Sequence, residues 1–253
     1  MSMKQYLRLK VKGAKERWAN RGQEEKRRVD DQLPLNLRLG SRIQFAEAPF
    51  LIAGDGTFVQ YPGNETLLSA FSEVELAGLK TYRLYLDSRA DPDESAMLML
   101  IMDEAGNQVE ERYLFHEQYE LPLYHTTLAD IGVDDDETTA VDFWLKKDEG
   151  ILGMPVFHTP EEASYERLWE AERDVWLQPA SVRETIVLDT YGDDQTEVEH
   201  LGTMLFARVF DGLAGTLEEY LLPTVERDQS GFRVRIWVGL PIAAADMELP
   251  DAV

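Results

Sequence analysis

The sequence predicts an α+β fold that is rich in β-structure, with mainly antiparallel sheets and a few helices. Several short segments alternate apolar and polar side chains, as strands with one buried face do. One segment, Ala96–Met102, has no polar residue, which is typical of a strand buried on both faces. One strong helix start, Thr159-Pro160-Glu161-Glu162, lies further along the chain.

The length and composition bound the domain organisation. With 253 residues, of which 44% are hydrophobic, the chain can form the core of one large domain or of two small ones. The predicted parts are a basic N-terminal arm, a single α+β body and a short tail, at residues 1–32, 33–245 and 246–253. An acidic, weakly patterned stretch, 126–158, is the best internal boundary, so a body of two lobes, 33–125 and 159–245, stays open.

The first strands are predicted soon after the arm, which ends between residues 29 and 33. Arg42–Phe45 and Phe50–Ala53 have the character of short strands, and Gly54-Asp55-Gly56 indicates a tight turn into another strand, Thr57–Gln60. Further on, Tyr82, Leu84 and Leu86 alternate with polar residues. This pattern predicts a strand with one buried and one wetted face.

Ala96–Met102 is predicted to form a hairpin with the segment that follows it. A turn at Asp103–Asn107 leads into Val109–Phe115, where apolar and polar side chains alternate again.

The helix predicted from Thr159 has a capping box, with Thr159 as N-cap, Pro160 in the first position and Glu162 three residues on. Its apolar face is formed by Tyr165, Leu168, Trp169 and Trp176, and it is expected to end before Pro179. Glu172 lies on the same stripe. A structural carboxylate, at the stripe edge or paired with an arginine, is favoured there over an active-site acid.

The last third returns to strand patterns, at Glu184–Tyr191 and Phe232–Val238. Arg233 and Arg235 share one face of the second strand with Trp237. They can bind an anion, but the acid excess of the chain favours acidic neighbours on adjacent strands. Two further segments, Met204–Phe210 and Leu217–Leu222, are ambiguous, and Pro223 is expected to close the second as a helix.

Charge is divided very unevenly along the chain. The first 28 residues carry ten Lys or Arg and three Asp or Glu, whereas the other 225 carry 15 and 45. On a helix, the apolar residues of the arm fall on one stripe flanked by basic side chains, namely Leu7, Val11, Ala14 and Trp18. Three interpretations stay open: a solvated arm, docking on the acidic body or a partner, and contact with an anionic membrane surface. No nucleic acid partner is expected, because the acidic body repels phosphate.

The chain has no cysteine, which excludes disulfides, thiol catalysis and thiolate metal sites. A cytoplasmic protein, peripheral to the inner membrane if the arm binds lipid, is expected. The longest uncharged apolar run has only seven residues, and the arm lacks the apolar core of a secretory signal.

Motifs for catalysis, metals and nucleotides are missing from the sequence. Acidic loops starting at Asp134 and Asp189 fail the EF-hand pattern, which requires glycine at position 6 and glutamate at position 12. The histidines lack metal-ligand spacing; they are His116, His125, His158 and His200. Structural roles are favoured for His116, in a predicted strand, and for His158, just before the Thr159 cap. No catalytic, cofactor-binding or metal residue is therefore predicted, and no cofactor.

The body resembles the YjfK-like family of uncharacterised bacterial proteins. The resemblance rests on Leu35–Gly40 leading into Arg42–Phe45, and on the later order Met204–Arg208, Glu219–Leu222 and Ile236–Gly239. These are packing and turn motifs, so no functional residue carries over. The resemblance implies an accessory role in envelope stress or in a polyamine-linked modification system.

Two functions follow as hypotheses. The first is a non-enzymatic interaction protein whose body binds protein partners and whose arm contacts anionic surfaces. The second is an enzyme or sensor that binds a small cationic ligand in a carboxylate-lined cleft. The sequence leaves the oligomeric state open.

Overall fold

The computed structural model describes residues 27–63, 66–88, 95–117, 137–159, 163–168, 175–228 and 231–249. The strands are β1 Arg42–Phe45, β2 Thr66–Leu76, β3 Leu79–Ser88, β4 Ser95–Met102, β5 Val109–Glu117, β6 Val156–His158, β7 Ser164–Arg167, β8 Ala180–Val187, β9 Gln195–Thr203, β10 Phe206–Gly212, β11 Gly215–Asp228, β12 Gly231–Pro241 and β13 Met247–Glu248. The α-helices are α1 Ala48–Ala53 and α2 Glu137–Leu145.

Eight of the strands form a closed antiparallel barrel. They follow the order β12-β5-β4-β3-β2-β8-β9-β11, and β11 pairs with β12 from Tyr220 opposite Gly239 to Asp228 opposite Gly231. Beyond the barrel, β10, β7 and β6 continue from β11, while β1 pairs with β2 and β13. The fold is therefore all-β, and the predicted α+β class is wrong.

Aromatic contacts identify the inner face of the barrel. The ring centroids of Tyr85 on β3 and Trp237 on β12 are 6.5 Å apart, although these strands are three places apart in the barrel order. Such side chains meet only across the interior. On β9, Val198 and His200 share this inner face and are buried, whereas Glu199 between them is exposed.

Much of the outer wall is covered by a second layer. Leu98 of β4 and Leu114 of β5 are fully buried on the outer face, in one apolar cluster with Leu37 and Phe50 from the chain before β2. The same cluster includes Trp144 of α2, Leu152, Phe157 and Phe206. Two cores result, one inside the barrel and one between its wall and the covering segments.

The predicted β4–β5 hairpin is confirmed. Ala96 pairs with His116 and Met99 with Tyr113, through a turn in which Asp103 Oδ1 accepts from the amides of Asn107 and Gln108 at 2.6 and 3.1 Å. The expected wetted face of β3 is wrong, because its polar positions point into the barrel.

Several predicted elements take another form. Phe50–Ala53, expected as a strand, belongs to α1, since Pro49 occupies the first turn and Gly54, at φ +57°, ends the helix. The segment Thr57–Gln60 forms no strand. Leu217–Leu222 belongs to β11 and is not a helix. Pro223 is tolerated in that strand because the neighbour on one side changes there, from β10 at Leu221 to β9 at Thr224.

The helix predicted from Thr159 is also wrong over the described residues. Phe157 of β6 pairs with Tyr165 of β7, so 159–163 connects the two strands of a hairpin. The Thr159 hydroxyl accepts from the amide of Ala163 at 3.2 Å, and thus supports that connection and no helix start. Trp169 and Glu172 lie outside the described residues.

Candidate functional site

A group of polar side chains crosses the interior of the barrel. We call it the barrel network; it consists of Ser72, Arg83, Tyr85, Glu117, Glu184, His200, Glu226, Arg233 and Arg235. These residues come from seven of the eight barrel strands and are all on the inner face. Because water is largely excluded there, each charge must be compensated by the others.

Glu184 is the centre of the barrel network and is fully buried. Its carboxylate accepts from Arg83 Nη1 at 2.8 Å, from the Tyr85 hydroxyl at 2.6 Å, and also from Ser72 Oγ and His200 Nε2. Burial raises the pKa of Glu184, but the Arg83 charge and the hydrogen bonds from His200 and Ser72 outweigh it, so that the pKa is well below its ordinary value. Glu184 is therefore a carboxylate at neutral pH.

The second half of the barrel network surrounds Glu226. Arg233 donates from Nε to Glu226 at 2.8 Å, and Arg235 donates from Nε to Glu117 at 2.7 Å with a second contact through Nη2. Desolvation lowers the pKa of Arg235, but the charges of Glu117 and Glu226 outweigh it and raise the pKa above its ordinary value. The prediction that these two arginines meet acidic neighbours is confirmed.

His200 connects the two halves. Its Nε2 contacts Glu184, and its Nδ1 is 3.6 Å from Glu226 Oε1, too far for a hydrogen bond. Within the described part of the chain, Nδ1 of His200 and both Nε and Nη2 of Arg83 have no hydrogen-bond partner. The three arginines balance the three glutamates of the barrel network, so its carboxylates supply none of the net negative charge of the protein.

Sequence reasoning missed Arg83, Glu184 and the role of His200. A local signal does exist for Glu184, which is flanked two residues away on each side by the apolar Val182 and Ile186, whereas Arg83 lies between Thr81 and Tyr85 and lacks it. A charged residue within an apolar row of a strand points to a buried position. Which partner compensates it depends on strand pairing far along the chain.

A second buried carboxylate, Glu219, lies on the outer face of β11. It accepts from Thr57 Oγ1 at 2.5 Å, from the Phe58 amide at 2.7 Å, from the Tyr165 hydroxyl at 2.5 Å and from Arg208 Nε at 2.7 Å. The Arg208 guanidinium also packs against the rings of Phe58 and Tyr165. Glu219 thereby fastens the segment after α1 to β7, β10 and β11.

An open surface pocket lies beside the paired strands β1 and β13. It is lined by Gln44, Phe45, Ala46, Glu47, Tyr61, Ala245, Asp246 and Glu248. Burial raises the pKa of Tyr61, and the nearby Glu47 charge adds to this effect. The pocket thus offers three carboxylates and the ring of Tyr61 to a molecule from solution.

Three of the four histidines are among the described residues, and they lie on three different strands, β5, β6 and β9. His116 is buried on the outer face of β5, where desolvation lowers its pKa to about 4, and the exposed His158 contacts Ser164 Oγ at 2.9 Å. His125 and Asp134 lie outside the described residues. In the described ranges, no group of three or more His, Asp or Glu has the geometry to hold a metal ion. No helix among the described residues is long and apolar enough to cross a membrane.

Comparison with protein families gives one match. The model of a family described as protein of unknown function (DUF2491) matches residues 11–248. The chain belongs to this family. No curated protein and no solved structure matches it. The family match extends over both the barrel network and the Glu219 cluster.

Proposed function

We propose that this member of the DUF2491 family is a non-enzymatic interaction protein, in which the barrel is a rigid scaffold and the basic arm contacts an anionic membrane surface. The observation that supports this is the charge distribution. The buried glutamates of the barrel network are matched by arginines, while residues 1–28 carry a net +7 and the remainder −30. The net negative charge of the body therefore lies outside its interior.

Electrostatics gives the two parts different partners. An anionic bilayer attracts Lys and Arg near its surface by about 1 kcal/mol each and repels an acidic body. In this arrangement the arm binds lipid, with Trp18 at the interface, and the body stays in solution to meet protein partners. The resemblance to the YjfK-like family supports an accessory role in envelope stress.

Flotation with vesicles tests this proposal. The full chain is expected to float with vesicles of phosphatidylserine and phosphatidylcholine, and to stay behind with phosphatidylcholine alone. Replacing Lys10, Lys12 and Lys15 by Gln should abolish flotation. The matched control removes three charges from the body, by K146Q, K147Q and R183Q, and should float like the natural chain. Equal flotation of both triple variants would contradict the proposal.

The surface pocket favours a second candidate function, the binding of a small cationic ligand such as a polyamine. Glu47, Asp246 and Glu248 provide negative charge, and Tyr61 provides an aromatic face for an ammonium group. A ligand that binds only the folded state raises its melting temperature. Spermidine should therefore stabilise the natural chain more than the D246N/E248Q variant, with D193N/E197Q as the charge-matched control. Equal shifts in all three proteins would argue against this function.

A further inference from the structure

An exposed apolar patch lies where α1 meets the turn between β10 and β11. It is formed by Leu51, Ile52 and Leu213, whose side chains are 59%, 39% and 82% exposed. The two elements are joined by a hydrogen bond of 2.7 Å from the Leu213 amide to the Ile52 carbonyl. Three large aliphatic side chains on one exposed surface indicate an interaction site.

The charge around the apolar patch is mainly negative, and the neighbouring Arg208 donates to Glu219 and to the Gly56 carbonyl. The two stretches that build it, residues 43–59 and 209–226, contain no Lys or Arg. Their exposed charged residues are acidic; they are Glu47, Asp55, Asp211 and Glu218. The surface therefore suits a partner that combines an apolar stripe with basic flanks.

We propose that the apolar patch is the docking site for residues 7–18 of the same chain. That segment has apolar residues at helical spacing, Leu7, Val11, Ala14 and Trp18, and five basic residues among them. An amphipathic helix that lays its apolar face on an exposed apolar surface is a common mode of recognition. Docking covers the three apolar side chains of the patch and places the basic residues of the segment against the acidic residues around it.

The chain length between the arm and the patch bears on this contact. Asp30 lies beside Leu39, whose amide donates to Asp30 Oδ2 at 2.9 Å. Leu51 follows Leu39 by twelve residues. Because part of α1 lies within this stretch, the distance between Leu39 and Leu51 is shorter than that of a fully extended chain. Between Trp18 and Val29 there are eleven steps, which span about 36 Å when extended. The length of the arm is thus comparable with the largest separation that the chain allows between Leu39 and Leu51.

Docking has a consequence for the arm. The same apolar stripe and basic residues cannot lie on the body and on a membrane together, so the patch competes with an anionic surface for the arm. The contact does not require that membrane binding occur. If the chain failed to float with vesicles, the proposed docking would be unaffected. Docking therefore needs a test of its own.

A spin label gives a direct test. Because the chain has no cysteine, Q5C can be labelled specifically, close to the stripe but off its apolar face. In the full chain, labelled with nitrogen-15, the label should broaden the amide signals of Leu51, Ile52 and Leu213. L213D should abolish the broadening. V209D, on the opposite face of the same hairpin and also exposed, should not.

The outcomes separate the possibilities. Broadening that is lost in L213D and kept in V209D supports the proposal, and so does its weakening in high salt. No broadening at the patch, or equal broadening in both variants, overturns it. A further sample mixes a spin-labelled chain without nitrogen-15 with a nitrogen-15 chain that has no spin label. Equal broadening in that mixture overturns docking within one chain and indicates docking on a second copy.

Discussion

Arg83 on β3 donates to Glu184 on β8 over 2.8 Å, although β2 lies between these strands in the barrel wall. Both side chains are at most 3% exposed. A buried pair of this kind offsets its desolvation only while both partners remain. Removing one partner therefore costs more than the net contribution of the pair.

E184Q is expected to destabilise the protein by about 3–5 kcal/mol, because it leaves the buried Arg83 charge without its counter-charge. Urea unfolding, followed by tryptophan fluorescence, measures the loss. The control is E197Q, on the exposed outer face of β9, which should change the free energy of unfolding by no more than about 0.5 kcal/mol. A loss in E184Q as small as in the control would show that the barrel network does not hold the strands together.

E219Q is expected to loosen the segment after α1. The Phe58 amide donates to Glu219 at 2.7 Å, and a carboxylate is the stronger acceptor. Hydrogen exchange of that amide should therefore become faster, together with a loss of about 1–3 kcal/mol in stability. E218Q, on the opposite face of β11, is the matched control. Unchanged protection of Phe58 in E219Q would exclude the fastening role of this cluster.

The difference between these two glutamates shows what the sequence could and could not predict. Glu218 and Glu219 are adjacent, and a period-two pattern places them on opposite faces of a strand. The segment is nevertheless ambiguous from its sequence alone, and the following Pro223 favours a helix there. Pairing with β10 and β12 decided the outcome, and the sequence of one segment does not contain that information.

The β4–β5 hairpin could be predicted from the sequence, whereas the β6–β7 hairpin could not. In β4 and β5 the partners are close in sequence and the turn residue Asp103 is recognisable, so the pairing was found. Arg83 and Glu184 are 101 residues apart. Their contact requires the long-range pairing of β2 with β8, which no short-range pattern reveals.

G239A is expected to overpack the barrel. A Cβ atom at Gly239 would lie 2.6 Å from Cδ1 of the fully buried Phe115. The ring must therefore move, at a cost of about 1–3 kcal/mol. In an F115L background, where the ring is absent, the same substitution should cost less. An equal cost in both backgrounds, measured by urea unfolding, would contradict the role of this close contact.

His116 is expected to make stability depend on pH between about 6.5 and 4. Desolvation lowers its pKa from 6.5 to about 4 in the folded protein. Between these values the unfolded chain binds the proton and the folded chain does not, so stability falls as the pH falls, by up to about 3 kcal/mol. The contribution of Glu184, whose pKa is also lowered, is fully present above about pH 4.5 and is lost only below it.

H116L should therefore lose less stability than the natural chain between pH 7 and pH 4.5, whereas H158L, at an exposed position, should behave like the natural chain. The same loss in H116L and the natural chain would mean that His116 takes up its proton equally in the folded and unfolded states.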